Sequence, residues 1–330
     1  KCASLRSAQL YEDVLKQDNS GLIKLVNHDS PVCIMASVVM LLFDNNYKAR
    51  LGIASTTAND EQSPFPSFTL TQKSLLPKGS GLGGSSILAL ANLRAVCGYV
   101  AAFSNSDTME LNFDQEMDLI LGVEQILGTG GGWQDQVGGG CSGIKHTTRD
   151  DKTGNFLIRK INLCNFKLEF FNSRLICINT SRKRLAKHVL ENIVDSFCYS
   201  GVAVGIINEL MENAERMYAA FVQLEEAKND QEGNGAEIAL RKIGDELNFY
   251  KKCCVRLQGK GFLPDDIAWV VEMMERDCYG VNLMGAGNGG FLVGIMKPQA
   301  SREAILKNIE GAGSKTSELK FTLTEIEAFD

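Results

Sequence analysis

The sequence has no excess of basic residues: 34 Lys and Arg stand against 40 Asp and Glu, a formal net charge of −6. That balance argues against a nucleic-acid partner or an anionic membrane surface, since both draw on clustered positive charge. Histidine is scarce too, with only 3, and His28, His146 and His188 show no metal-ligand spacing. The 10 cysteines include no C-x-x-C pair, which speaks against a zinc knuckle, a dithiol site or a disulfide scaffold. Reduced thiols are the simplest account, so a cytoplasmic location is expected. No long hydrophobic run opens the chain. Residues 32–43 are apolar but too short to span a bilayer, and no signal-peptide pattern precedes them, so no membrane partner is expected. The chain begins at Lys1 rather than Met, and further sequence is expected upstream.

What is present is a glycine-rich stretch, Pro77-Lys-Gly-Ser-Gly-Leu-Gly-Gly-Ser-Ser-Ile-Leu-Ala89, between a strand-like run at 68–73 and an apolar segment reaching about Phe103. Such a loop lets backbone N–H groups turn inward, and the helix after it presents unpaired amides and the positive end of its dipole. An anion such as phosphate suits that place. Ser85 and Ser86 can bond the helix's own amides or turn a hydroxyl toward a metal carried by the phosphates. A plain turn with two capping serines is the alternative. Gly79, Gly81 and Gly84 fit G-x-G-x-x-G, yet a polar turn at 105–108 and another helix follow where an acidic strand end is required. Gly84-Ser85-Ser86 also lacks the lysine of a Walker A loop.

A second helix is expected from about 109 to 128. Its apolar stripe of Phe113, Met117, Ile120, Leu121 and Leu127 includes Glu124. A carboxylate on a buried face needs a partner, because leaving it unpaired is strongly destabilising. A structural arginine or a bound cation would serve. The next segment, Gly128-Thr-Gly-Gly-Gly-Trp-Gln-Asp-Gln-Val-Gly-Gly-Gly140, reads as a loop whose glycines let the backbone pass close to something. Asp135 in it can face back toward Glu124, so that one carboxylate binds Mg²⁺ and the other sits near an attacking hydroxyl. A turn cap is the plain reading of Asp135.

At 330 residues, 44% hydrophobic and 22% charged, the chain is long enough for two domains with ordinary cores. Residues 1–44 read as two helical parts and 45–65 as an exposed loop. Strands are expected at 157–163, 167–171 and 174–179, with a turn at 150–154. A long helical region follows, striped by Leu185, Val189, Ile193 and Phe197 and then by Val204, Ile207, Met211, Ala214, Met217 and Phe221. After a polar break at 228–235, helices resume at Glu237 and Asp265. Strands at 281–284 and 291–295 bracket Gly285-Ala-Gly-Asn-Gly-Gly290, and a helix from Ser301 and a strand at 319–326 close the chain. This is a β-α-β-β-α-β order with an enlarged first helical segment, hence ferredoxin-like. Arg182, Lys183 and Arg184 at a helix start are either a solvated basic turn or a phosphate contact.

These residues carry a resemblance. Pro77 to Ser86 resembles the phosphate loop of the galactokinase, homoserine kinase, mevalonate kinase and phosphomevalonate kinase superfamily, and Gly285 to Phe291 its C-terminal glycine motif. The run from Val123 to Gly139, with Gly143-Ile-Lys145 and with Arg184-Leu-Ala186 after Thr180, is similar to the L-fucokinases. The resemblance implies an α+β, two-domain small-molecule kinase fold. Its N-terminal β-α-β domain, with the phosphate loop and catalytic Asp, would occupy 1–172, and its C-terminal ferredoxin-like domain 173–330.

ATP and Mg²⁺ are the cofactors the resemblance implies. Lys78, Gly79, Ser80, Gly81, Leu82, Gly83, Gly84, Ser85 and Ser86, with Gly285, Gly287 and Gly289, would surround the nucleotide. Ser86 and Glu124 would hold the metal, and Gly132, Trp133 and Gln134 would face the substrate. Asp135 would orient or deprotonate the anomeric hydroxyl of a sugar, giving L-fucose 1-phosphate. A heptose-phosphate kinase of the same superfamily and a nucleotide-binding module without catalysis stay open as alternatives. The family's upstream sugar-side motif has no counterpart before Pro77, and Asn288 stands where family members often carry glycine. Little fucose-dependent ADP release and poor solubility are therefore expected of these 330 residues alone.

Overall fold

The computed structural model describes residues 38, 70–72, 80–103, 111–127, 131–182, 200–227, 234–313 and 322–323. The expectations for the helical segments and loop before residue 70 lie outside them, as do those for His28, Lys78, Gly79, residues 128–130, and the 183–199 helix with Lys183, Arg184 and His188. Contacts divide the chain into two compact units, one of Lys1–Pro77 with Gly83–Cys141 and one of Lys78–Leu82 with Ser142–Asp330.

The described part of the first unit is helical. Helix α1 (Gly84–Phe103) buries Ser86, Ala89, Leu90, Leu93, Val96 and Val100, a stripe at three- and four-residue spacing. By length and composition Gly84–Ala102 is apolar enough to cross a membrane. Here its stripe packs on α2 (Phe113–Ile126) and α3 (Gln134–Gly140), and Arg94 clasps Glu116 of α2 at 2.7 Å. Helix α2 starts on a reciprocal cap: Gln115 N donates to Asn112 Oδ1 (2.9 Å) and Asn112 N to Gln115 Oε1 (3.0 Å). Of its expected stripe, Met117, Ile120, Leu121 and Glu124 are buried and Phe113 and Leu127 half-buried, while Leu119, Val123 and Ile126 are buried as well.

The segment expected to be a glycine-rich loop is instead, in part, the short helix α3. A Cβ at Gly139 would lie 2.5 Å from Ile87 Cγ1, and one at Gly140 would lie 2.9 Å from Met117 Cε and 3.1 Å from Leu90 Cδ2. The missing side chains thus bring α3 onto α1 and α2; the close approach expected from the glycines is to helices. Among the described residues this unit has no strand, and Leu70, Thr71 and Gln72, within the strand-like run, lie in no regular element.

The second unit holds the hairpin β1 (Ile144–Arg149) and β2 (Phe156–Ile161), α4 (Asn165–Arg174), β3 (Leu175–Asn179), α5 (Gly201–Glu226), α6 (Asn234–Gln258), α7 (Asp265–Asp277), β4 (Cys278–Leu283), β5 (Phe291–Met296), α8 (Arg302–Gly313) and β6 (Thr322–Leu323). The sheet order is β4-β5-β3-β6 with antiparallel pairs throughout. Its strands are joined in the expected ferredoxin-like sequence. Alternate residues of β5 face opposite layers. Leu292 and Met296 join Ile176, Ile178, Val281 and Leu283 against α7 and α8, while Ile295 packs with Ala220, Leu224, Leu240 and Ile243 of α5 and α6. The enlarged helical segment therefore covers the second face of the sheet.

Two expectations change here. Residues 167–171 lie in helix α4, not a strand. The alternation Phe166, Leu168, Phe170 imitates strand period, but Arg302 ties down Leu175 O (2.9 Å) and Asn172 O at the helix end, and Arg174 forks onto Glu237 (2.9 Å to each oxygen). On α5 the buried positions are Ala203, Ile206, Asn213, Ala220 and Leu224, so Val204 and Met211 of the expected stripe are exposed. The contact division falls at 141/142, and the hairpin is held to α5: Arg159 bonds Glu215 at 2.6 Å and lies over the Tyr218 ring.

Candidate active site

In the first unit the phosphate loop feeds α1 through Gly83, whose φ of +68° a side chain would resist. The amide of Ile87 donates to Gly83 O at 3.0 Å, closing the first turn. Ser85 and Ser86 both donate to one oxygen of Glu124, at 2.9 and 2.7 Å to Oε1. Ser86 is 3% exposed and Glu124 5%. A buried carboxylate with two hydroxyls on the same oxygen is a hard, oxygen-only donor set of the kind Mg²⁺ takes. Serine hydroxyls keep lone pairs for a cation while donating to the carboxylate. Ser86 of α1 and Glu124 of α2, the two residues expected at the metal, are thus hydrogen-bonded to each other.

Asp135 sits in the first turn of α3, which begins after Trp133. A Cβ at Gly83 would lie 2.9 Å from Asp135 Cβ and 3.3 Å from its Oδ1. The phosphate loop and this carboxylate therefore meet, and Gly83 is the residue that lets them. Asp135 and Gln134 are exposed and Trp133 is half-buried.

In the second unit, pairing of Asn179 with Phe291 sets the end of β3 beside the C-terminal glycine motif. Thr180, fully buried, donates to Gly290 O from its amide (2.9 Å) and its hydroxyl (2.8 Å). A Cβ at Gly290 would fall 3.0 Å from the carbonyl carbon of Ser80, so the glycine motif and the start of the phosphate loop are in backbone contact. Gly289 lies against Arg182, whose side chain pairs with Asp266. Asn288 has φ +62°, a left-handed conformation that asparagine tolerates better than most residues, and its amide donates to Phe262 O at 2.6 Å. That explains how asparagine stands where glycine was expected. Gly285 and Gly287 also have positive φ, at +68° and +90°.

The structure thus brings together Ser85, Ser86 and Glu124, then Gly83 and Asp135, and then Ser80 and the glycine motif. Gly132, Trp133 and Gln134 adjoin Asp135 in sequence, and Gln134 folds back over Gly132. Thr180 and Gly290 lie in segments that the resemblance named, but their link to each other depends on strand pairing, which no local pattern reveals. Thiol chemistry has little support: the described cysteines are free, and burial pushes the Cys254 and Cys278 thiols up to about 12.

Residues 46–143 match the family described as GHMP kinases N terminal domain, ending close to the end of the first unit. The chain is 31% identical over 237 residues to the bifunctional fucokinase/GDP-fucose pyrophosphorylase of Arabidopsis thaliana, covering 71% of this chain and 20% of that protein. It is 30% identical over 237 residues to the L-fucokinase/L-fucose-1-P guanylyltransferase of Bacteroides fragilis, covering 70% and 22%. The chain spans about a fifth of the length of these curated relatives. Among solved structures, Lactococcus lactis galactokinase complexed with galactose aligns with a TM-score of 0.55 at 14% identity, over 91% of this chain and 76% of that one. Methanococcus jannaschii mevalonate kinase aligns at 0.53 and 15%, over 91% and 77%. These likenesses show a shared two-domain kinase fold. Residues 46–143 thus group with the GHMP kinase N-terminal domains, and the two sequence relatives described here are fucokinases.

Proposed function

We propose that this chain is the kinase part of an ATP-dependent sugar-1-kinase that phosphorylates the anomeric hydroxyl of L-fucose, giving L-fucose 1-phosphate. The observation that carries the reading is the Asp135 side chain against Gly83. A loop suited to phosphate and a carboxylate suited to an acceptor hydroxyl meet at one point. Phosphoryl transfer asks the protein mainly for in-line positioning and charge stabilisation. The amides of the 80–86 loop and the N-terminus of α1 take phosphate oxygens. Ser86 and Glu124 would hold Mg²⁺, which would supply positive charge to offset that of the phosphates. Asp135 orients the acceptor hydroxyl and takes its proton, while Gly132, Trp133 and Gln134 line the sugar side. The two fucokinase relatives favour L-fucose over other sugars.

Product analysis with ATP and a panel of free and phosphorylated sugars tests the assignment. In a form of the protein with an intact sugar site, L-fucose 1-phosphate is expected; turnover confined to a heptose phosphate would reassign the substrate, and nucleotide binding without turnover on any sugar would leave a binding module. A second measurement addresses the metal. Glu124→Gln keeps a partner for both serine hydroxyls but removes the charge, so the fold should persist. The Mg²⁺-dependent part of ATP affinity should fall roughly tenfold or more, given that a hydrogen bond to a charged group is worth about 1.5–3 kcal/mol. Equal Mg²⁺ dependence of the two proteins in calorimetry would remove Glu124 from the metal site.

A further inference from the structure

Gln136, the residue after Asp135, is fully buried, and neither its Oε1 nor its Nε2 has a hydrogen-bond partner. Native structures keep few such groups, because an amide taken out of water without a partner is costly. Its place on α3 gives the orphan a setting. Gln136 shares a helix face with Gly139 and Gly140, three and four residues on. That face lies on the helix pair: Gly139 meets Ile87 of α1, and Gly140 meets Leu90 of α1 and Met117 of α2. At the other end of α3, Asp135 meets Gly83. Helix α3 therefore runs along the first two turns of α1, with Gln136 at the level of the first. The buried polar residue of that turn is Ser86, whose hydroxyl is on Glu124.

We propose that Gln136 is a positioning residue for the cation-binding pair. In the ligand-free protein two serine hydroxyls converge on Oε1 of Glu124. With Mg²⁺ bound, Ser86 and Glu124 would hold the cation, and Nε2 of Gln136 would donate to the Glu124 carboxylate in place of one serine hydroxyl, keeping it turned toward the metal. The amide is idle in one state and paired in the other, so its cost falls on the ligand-free protein and its benefit on the loaded one. The inference rests on the kinase reading above.

The test uses Gln136→Met, and Gln136→Leu as a second apolar replacement, with ATP titrated in Mg²⁺ and in EDTA. The expected result is a melting temperature unchanged or raised in the ligand-free variants and an unchanged affinity for ATP in EDTA. The gain in affinity conferred by Mg²⁺ should shrink about tenfold, as for the loss of one hydrogen bond to a charged group. A full Mg²⁺ gain in the variants would overturn the proposal. So would a melting temperature lowered by about 5 °C or more in both, because the amide would then be a structural group satisfied by buried water. A wild-type protein that gains nothing from Mg²⁺ would overturn the kinase reading itself, a failure visible before any variant is made.

Discussion

In a form of the protein with an intact sugar site, Asp135→Asn should lower fucose-dependent ADP release at least about 100-fold while leaving ATP affinity within roughly threefold of wild type. A positioned general base is worth about 10²–10⁴ in rate, and asparagine keeps the shape of aspartate but loses the proton acceptor and the charge. The geometry makes this a clean substitution. Asp135 is exposed in the first turn of α3, and its neighbours in that helix, Gln136 and Val137, supply the burial that holds the helix in place. The contact with Gly83 involves Cβ and Cγ as well as Oδ1, so an isosteric amide retains it. Because the loss concerns an interaction made with the acceptor hydroxyl as it reacts, it should appear in kcat rather than in the KM for ATP. Steady-state kinetics at saturating sugar, with nucleotide affinity measured separately, checks both parts. Turnover near wild type would move the catalytic role to another residue.

The parts of this site that were legible in the sequence are those in which local chemistry and helical period agree. Glu124 was legible because it interrupts an apolar stripe, and a carboxylate there must be answered by something; Ser85 and Ser86 answer it. The glycine turn into α1 was legible because its glycines cluster before an apolar helix. The role of Gly83 was legible only in outline: its positive φ follows from the loop, but its contact with Asp135 depends on how α3 lies on α1. The glycines of α3 misled, since the same composition that marks a loop also lets a short helix press against its neighbours.

Elsewhere the sequence period was borrowed by another structure. In α4 the alternation of Phe166, Leu168 and Phe170 is that of a strand, but the segment buries no residue fully, and its C-terminal end is fixed by Arg174 on Met296 O and by Arg302 from afar. On α5 the expected stripe slipped because two apolar sets run along the helix side by side, and Asn213, polar yet buried, belongs to the inward one through its bond to Glu246 (2.6 Å). The sheet order emerged because the strand and helix sequence permits few topologies. The contact of Thr180 with Gly290 did not, because pairing across β3 and β5 joins residues that no window of sequence contains.

Gly280→Ala should destabilise the second unit by about 3 kcal/mol or more, at the upper end of what overpacking does. A Cβ at Gly280 would lie 2.5 Å from the carbonyl carbon of Gly244 and 2.7 Å from its Cα, with the carbonyl oxygen closer still. These are backbone atoms of a helix, with no flexible end to swing aside. The reverse approach is as tight: a Cβ at Gly244 would meet Tyr279 Cβ at 2.6 Å and the amide nitrogen of Gly280 at 2.9 Å. Helix α6 and strand β4 thus touch through two glycines, and relief requires the helix to withdraw. Withdrawal would loosen Asn248, which donates to Tyr279 O (2.9 Å) and accepts from Val281 N (3.2 Å). It would also open the cluster in which Leu240 and Ile243 pack on Ile295. Gly205→Ala on α5 is the matched control. Gly205 is an exposed helical glycine with nothing within 4 Å of its missing Cβ, so alanine there should stabilise by roughly 0.5–1 kcal/mol. Urea unfolding of both variants, followed by circular dichroism, separates glycine as a close-packing device from glycine as a weak helix former. A loss below about 1 kcal/mol at Gly280 would show that α6 can shift away from β4 without breaking its other contacts.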